Sequence, residues 1–519
     1  MGGYARPEGL QVFKCEGVQE TVRMLKEQMN YQGRNYIGGF GEHRSDFQSL
    51  NPSDDSVLGS FPQSTSHEVD AAVRLAHDAG NSWKSLSRIR RAEHILELCR
   101  ILKKTQSYVA RHISRETGKS LNESNAEVVE ALHMAQYCFG KGREPCGEIV
   151  SSEIAERDSY VIRKPKGVVA VVAPWNFPFA IGGFWCAAPA LLEGNTVVFK
   201  PSELTPIVGQ ITAELYDTAG FPKGVFNMIH GDGEVGRMLV EHEKVNHIAF
   251  TGSVEVGRSI RRACAEGEKT CSCEMGSKSA VIVFEDADLD LAVSACLNSA
   301  FKLSGQRCVS SGRLIVHRSI LEKFKEMFLE RVRDIFVGDP SEEIPQNSPL
   351  SFGPLISRTQ MERVLSFNEM VRRDSEAKVL YDLDCSRPFG NFVGPFVYQS
   401  EWSDKPYLKQ EVFGPHLAIV PFDDVCQAIS IYNDTPYGLA LGAITNDFRT
   451  MREVRNWCDA GMIYFNLGSI GAESHMPFTG VKMSGNGGSS AAGTFDAVVH
   501  KVAVSVNHAR HLNFPQGLK

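Results

Sequence analysis

Apolar positions in the first part of the chain recur at helical spacing: Val69, Ala72, Val73 and Ala76, then Ile95, Leu98, Cys99 and Leu102, each set at i, i+3, i+4, i+7. This spacing predicts two amphipathic helices within 66–138, with further helix following. Beyond residue 165 the period changes. Short apolar runs at 168–173, 196–199, 225–229, 247–250 and 280–284 alternate with helix-like stretches such as 203–219 and 234–242. Strands buried on both faces read as unbroken apolar runs, so this alternation predicts βαβ units on a parallel sheet. After Asp288 a second α/β set begins, with a helix to about Lys302, a strand at Arg313–His317 and a helix at 321–336. A domain boundary falls near 276–288.

Two stretches need separate treatment. The 26 residues between Lys166 and Glu193 carry no charge, enough in length for a membrane span. Pro174, Asn176, Pro178 and Pro189 would break or polarise such a helix, so the segment reads as strand, loop and buried helix. Segments 159–163 and 501–506 stand apart, the latter alternating Val502, Val504 and Val506 on one face. Left open, it would be an aggregation-prone edge; it either pairs within its own chain or adds to a symmetry-related subunit.

Charge and cysteine content narrow the class. Lys plus Arg total 55 against 62 Asp plus Glu, a formal charge of −7 without like-charge blocks, which gives no footprint for nucleic acid. Thirteen scattered cysteines, from Cys15 to Cys458, do not suggest a disulfide framework. The opening MGGYARPEGL lacks the apolar run of a secretory signal, and Arg6 occupies the place a myristoylation signal gives to Ser or Thr. The expectation is a cytoplasmic protein with neither membrane nor nucleic-acid partner.

Several residues could carry chemistry. Gly231-Asp232-Gly233-Glu234-Val235-Gly236 fits G-x-G-x-x-G between a strand and a helix, although 46 glycines make a plain tight turn an equal reading. Phe250-Thr251-Gly252-Ser253 opens a second strand-loop-helix unit, and either unit could hold a pyrophosphate at its helix N-terminus. Lys200 and Glu203 follow another strand, where an acidic residue grips ribose hydroxyls; the alternative for Glu203 is helix N-terminal charge. Cys308, in Gly305-Gln306-Arg307-Cys308, lies in a loop beside a cation expected to favour thiolate, although most cysteines are small core residues. Glu274, at a strand end, would gain the pKa of a general base on partial burial. Asn176 is an amide donor held between two prolines and two aromatics. Cys271-x-Cys273 lacks a second ligand pair, so no metal is expected.

Taken in order, APWNFP at 173–178, KPSE at 200–203, FTGS at 250–253, EMGSKS at 274–279, GQRC at 305–308, EVFGP at 411–415 and PFTGVKMSG at 477–485 resemble the NAD(P)-dependent aldehyde dehydrogenases from about Asn51 to Asn507. The resemblance implies that Cys308 is the nucleophile, Glu274 the general base and Asn176 the side-chain half of an oxyanion hole. It implies that Ala173, Pro174, Trp175, Lys200, Glu203, Gly236, Gly252, Ser253, Met275, Glu411 and Phe413 hold the cofactor. NAD is favoured by the Glu203 carboxylate, with NADP left open by Lys200. The family's Glu-Leu-Gly-Gly-Lys reads Glu-Met-Gly-Ser-Lys here, preceded by Cys271-Ser272-Cys273 in place of aliphatics. Cys273 is either a partner for Cys308 in an oxidative disulfide or a small strand residue.

Arg307 and the Gly471-Ala472-Glu473 loop resemble the branch of aminoadipate semialdehyde (antiquitin) and glutamate semialdehyde dehydrogenases. That likeness implies a carboxylate-bearing semialdehyde held by Arg307, Val309, Gly471 and Ala472; the alternative is a neutral aldehyde, with Arg307 paired to a protein carboxylate. Val309 and Ile470 stand where that branch often has polar residues. The implied architecture is a doubly wound Rossmann-type nucleotide domain (1–150 and 167–280), an α/β catalytic domain (281–490) and a small β oligomerisation element (151–166 and 491–519) joining a homodimer or homotetramer. A coenzyme A-acylating enzyme and a non-enzymatic protein that keeps the fold are the competing readings.

Overall fold

The computed structural model describes residues 31–342, 348–385, 387–488 and 490–515. Cys15, the opening MGGYARPEGL and the last four residues lie outside them. The apolar stripes read from the sequence face inward: Val69, Ala72, Val73 and Ala76 are buried on the helix Ser66–Ser85, and Ile95, Leu98, Cys99 and Leu102 on Arg88–Thr117. A third helix, Leu121–Lys141, packs against the second.

Five parallel strands form the first sheet, in the order Thr270–Met275, Val245–Gly252, Val168–Val172, Thr196–Lys200, Phe226–Met228. This is a Rossmann order, with its reversal between Val168–Val172 and Val245–Gly252. Alternate residues of the central strand feed two cores: Val168 and Ala170 pack with the helix Ser66–Ser85, while Val169 and Val171 face Arg88–Thr117 and its neighbours. Burial on both faces is why the run lacks polar alternation.

The chain crosses to a seven-stranded sheet between Met275 and Ala280. Its order is Lys378–Asp382, Phe396–Gln399, His416–Phe422, Arg313–His317, Ala280–Val283, Ala440–Ile444, Met462–Phe465, parallel except at the first pair. Strands between 336 and 491, and a three-stranded sheet built from Tyr31–Gln32, Phe47–Leu50 and Val57–Phe61, were not legible in the periodicity. Two helices are shorter than their patterns: 203–219 starts at Pro206, whose fixed φ suits a first helical turn, and 321–336 ends at Arg333.

The uncharged stretch is strand, loop and a fully buried π-helix at Ala180–Cys186 running into the helix Ala187–Leu192. Among the described residues no helix is long and apolar enough to cross a membrane. Val499–Asn507 pairs antiparallel with Arg157–Pro165 of its own chain, and Glu148–Val150 adds a third strand on the far side. Intrachain pairing is therefore real, and Val499–Asn507 remains an edge strand of this small sheet.

Candidate active site

Ligands of doubly wound sheets sit where the strand order reverses, and a cleft opens there. Its first chamber, about 570 Å³, is lined by Ala173, Pro174, Trp175, Lys200, Glu203, Gly236, Gly252 and Ser253, among others. Pro174, Trp175, Gly252 and Ser253 continue into a second chamber of about 280 Å³, lined also by Asn176, Glu274, Met275, Cys308, Glu411 and Phe413. All eleven residues that the resemblance assigns to the cofactor, and the three it assigns to catalysis, thus border one continuous cleft.

Cys308 is delivered by an unusual turn. Leu303, Ser304 and Gly305 have φ of 56°, 54° and 72° in succession. Non-glycine residues in this region store about 1–3 kcal/mol each and persist only where surroundings hold them. Here Leu303 N–H donates to the Glu123 carboxylate at 2.8 Å, Ser304 Oγ donates to Gly353 O at 2.7 Å, and Gln306 N–H donates back to Leu303 O. Gly305 has no substitute, because a Cβ there would lie 2.3 Å from Gly414 O.

The expectation that Arg307 favours a thiolate fails. Burial pushes the Cys308 thiol up to about 12, and the carboxylates of Glu411 and Glu274 push the same way. Arg307 is engaged elsewhere, pairing with Glu123 at 3.2 Å and lying 5.3 Å from the ring centre of Phe177. Without a stabilising cation, the thiol of the free protein is held protonated.

Glu274 is only 2% exposed, and burial raises its carboxyl well above the usual range, against the smaller opposing pull of the Gly480 N–H. Asn176 is buried and donates from Nδ2 to Gln306 O at 3.0 Å, two residues before Cys308. Its second N–H is then free by chemistry for an oxygen developing beside Cys308. Glu411, pushed up to about 7 by burial, accepts from Ser277 N–H at 2.7 Å. The approach is so close that a Cβ on Gly276 would lie 2.0 Å from Glu411 Oε2.

The two helix N-termini differ. Asp232 caps Gly233–Glu241, its own carboxylate accepting from Glu234 N–H at 2.9 Å, which puts a negative charge where an anion would go. Val254–Glu266 is capped by the neutral hydroxyl of Ser253, which borders both chambers. Only the second terminus suits a pyrophosphate. Lys200 is buried, 3.5 Å from Glu203, and Glu203 lies in the turn ahead of the helix Pro206–Thr218.

On the other side of Cys308 the surroundings are charged and self-paired. Lys119 pairs with Glu127, which also accepts from Phe179 and Ala180 N–H, while Arg307 pairs with Glu123. Glu130, half-buried nearby, is pushed up to about 7 by burial and by Glu127. Val309 is buried; Ile470 and Ala472 are half-buried against the same apolar cluster as Cys308 and Phe177; Gly471 is exposed, with φ of 118°. Sequence reading missed Glu123, which pairs with Arg307, Gln360 and Arg363, which line the second chamber, and Tyr464, which packs on the same apolar cluster as Cys308. Glu123 had a signal, but a misleading one: Ser120-x-x-Glu123 reads as a helix capping pattern, and Ser120 does accept from Glu123 N–H. Cys273 packs with Cys264 in a cluster separate from that of Cys308, so the disulfide weighed between Cys273 and Cys308 has no geometric basis.

An alpha-ketoglutaric semialdehyde dehydrogenase of Bacillus subtilis is 34% identical over 439 residues, covering 84% of this chain and 89% of its own. A betaine aldehyde dehydrogenase from Staphylococcus aureus, solved in complex with NAD+, superposes with a TM-score of 0.87 at 28% identity, covering 96% of this chain and 98% of that one. A single-site variant of an aldehyde dehydrogenase from Bacillus cereus matches with a TM-score of 0.87 at 29% identity, covering 94% and 98%. The model of the aldehyde dehydrogenase family matches residues 40–504, and the chain belongs to that family of enzymes, oxidoreductases acting on the aldehyde group.

Proposed function

We propose that this enzyme oxidises a carboxylate-bearing semialdehyde, of the aminoadipate or glutamate semialdehyde type, to the corresponding acid with NAD+. The observation that carries the substrate class is the Arg307 guanidinium. Its Nε is buried and unpartnered although one Nη2 meets Glu123. A buried donor left unmade costs about 1–3 kcal/mol, and an anionic tail beside Cys308 would satisfy it. The semialdehyde named for the Bacillus subtilis relative supports the same class.

The residues fit a dinucleotide: a carboxylate and a buried lysine at one end, an uncharged helix N-terminus in the middle, and Glu411, Phe413 and Met275 beside the thiol. Lys200 and Glu203 would hold a ribose, Gly252 and Ser253 the pyrophosphate, with Gly236, Ala173, Pro174 and Trp175 forming the walls. A bound nicotinamide supplies the hydride acceptor. Glu203 favours NAD over NADP, whose extra phosphate it repels, and Lys200 keeps NADP usable.

In the reading we favour, Cys308 loses its proton and its sulfur bonds the aldehyde carbon. The resulting alkoxide is met by Asn176 Nδ2–H and the Cys308 backbone N–H, neutral donors that need not reorganise. Once the carbon has been oxidised, a thioester joins it to Cys308. Glu274 takes a proton from water, whose oxygen adds to the thioester carbon, and the thiolate leaves with the acid released. An activated water is what a coenzyme A-acylating enzyme does not need, so Glu274 argues against that alternative. A homodimer or homotetramer joined through the small sheet, and a cytoplasmic setting, accompany this reading.

The test is a panel of semialdehydes and plain aldehydes of matched length, assayed with wild type and Arg307→Ala. Loss of about 50-fold in kcat/KM confined to carboxylated substrates supports the proposal. Equal loss on both sets supports the second reading, a neutral aldehyde with Arg307 serving the Cys308 turn through Glu123.

A further inference from the structure

The Cys271-Ser272-Cys273 departure is not absorbed by the chemistry above. On the strand Thr270–Met275 these two cysteines share the face opposite Glu274, turned toward the helix Val254–Glu266 and its Cys264. The Cys271 sulfur accepts from Asn486 Nδ2 at 3.4 Å and packs against the cluster that holds Cys264 and Cys273. Cys264 and Cys273 are buried, whereas Cys271 keeps partial exposure. The same Asn486 receives Cys273 N–H at 2.9 Å and donates to Cys271 O, fixing the strand to the loop that follows Gly485.

We propose that Cys271 is an oxidative modification site, which reacts with a hydroperoxide and is resolved by Cys264 into an intrachain disulfide. In the first step the Cys271 thiolate attacks one peroxide oxygen, the O–O bond breaks, and hydroxide leaves as sulfur becomes a sulfenic acid. In the second the Cys264 thiol loses its proton and attacks that sulfur, the S–O bond breaks, and water departs. Peroxide is the oxidant and the two thiols supply both electrons.

Three observations select this pair. The Asn486 amide donates to the Cys271 sulfur, and the neighbouring Cys264 and Cys273 thiols together with the Arg261 charge draw the Cys271 pKa down, whereas interaction with Cys271 and then burial raise those of Cys264 and Cys273. Cys273 is a poor resolver because residues two apart on a strand stand ~6.6 Å apart with parallel Cβ bonds, while a disulfide needs Cβ atoms ~3.8 Å apart. Among the described residues no group of three His, Cys, Asp or Glu side chains is arranged to hold a metal, which leaves thiol chemistry for this cluster.

The experiment treats the full-length protein with about one equivalent of hydrogen peroxide, blocks remaining thiols with N-ethylmaleimide and maps tryptic peptides by mass. Trypsin cuts after Lys269, separating Cys264 from Cys271 and Cys273. The expected product is the 263–269 peptide joined to 270–278 carrying one N-ethylmaleimide on Cys273, two mass units below the sum of those two species, with the link reversed by dithiothreitol. Cys273→Ser should keep the link and Cys271→Ser lose it. In Cys264→Ala, dimedone should instead label 270–278, at a rate about tenfold above any labelling of buried Cys138 or Cys296. A link between Cys271 and Cys273, a link surviving Cys271→Ser, or a wild-type cluster still reduced after this treatment overturns the proposal; none of these bears on aldehyde oxidation.

Discussion

The two sides of Cys308 are built on different principles. Toward the five-stranded sheet lies an open cleft whose wall residues follow one another at strand ends: Ala173 to Asn176 after one strand, Lys200 to Glu203 after the next, Gly252 and Ser253 after a third. Toward the helix Leu121–Lys141 the surroundings are assembled from distant segments, and their charges already neutralise one another: Lys119 with Glu127, Arg307 with Glu123. The first side waits for a ligand with donors in place. The second must have an ion pair rearranged, or share it, before a charged substrate tail can bind. This contrast teaches where specificity would be adjustable under the proposed function: the side proposed for the cofactor is fixed by backbone, the side proposed for the aldehyde by side chains.

The largest effects should come at the boundary between the two. Cys308→Ala should lower kcat by about 10⁴-fold or more in a steady-state assay, with the thermal midpoint little changed. Glu274→Gln should separate the halves of the reaction: a stoichiometric burst of reduced nicotinamide followed by turnover about 10³-fold slower, read by stopped-flow absorbance. A variant that loses the burst as well would mean that Glu274 also serves thiol deprotonation.

pH sharpens the same boundary. Cys308 and Glu274 are both raised, so their charged, reactive forms are scarce at low pH and accumulate as pH rises. The logarithm of kcat/KM should climb through the neutral and mildly alkaline range and fall as pH falls. Glu274→Gln should leave the thiol limb of the profile in the burst rate. A profile flat from pH 6 to 9 would show that cofactor binding resets both groups.

Smaller effects test the cofactor side alone. Gly276→Ala drives a methyl onto the Glu411 carboxylate and should raise the KM for dinucleotide about tenfold while sparing aldehyde selectivity. Glu203→Gln should change least, narrowing the preference for NAD over NADP by about threefold in competing kcat/KM measurements, because Lys200 remains.

Legibility followed the same division. The strand-end motifs were readable because each occupies four to six consecutive residues whose order the backbone enforces. Glu123 was not, since it lies 185 positions before Cys308 and meets the Cys308 turn through Leu303 N–H and Arg307. The cation before Cys308 suggested a thiolate, and the structure reversed that inference: sequence adjacency places Arg307 next to the cysteine along the chain, whereas burial and a competing carboxylate decide what the charge does. Likewise the pairing weighed for Cys273 with Cys308 failed because strand alternation sends Cys273 and Glu274 to opposite faces.

By itself the sequence determined the alternation of helices and doubly buried strands and a change of α/β set near 276–288, because apolar period and local turn chemistry act over short stretches, and its motifs, through their resemblance to a family, pointed to the groups that border the cleft. Only the tertiary structure decided which of two helix N-termini carries an uncharged cap, which carboxylate holds Arg307, and that burial raises the Cys308 thiol. Those outcomes depend on desolvation and on charges brought together from remote parts of the chain, and neither quantity exists until the core has closed.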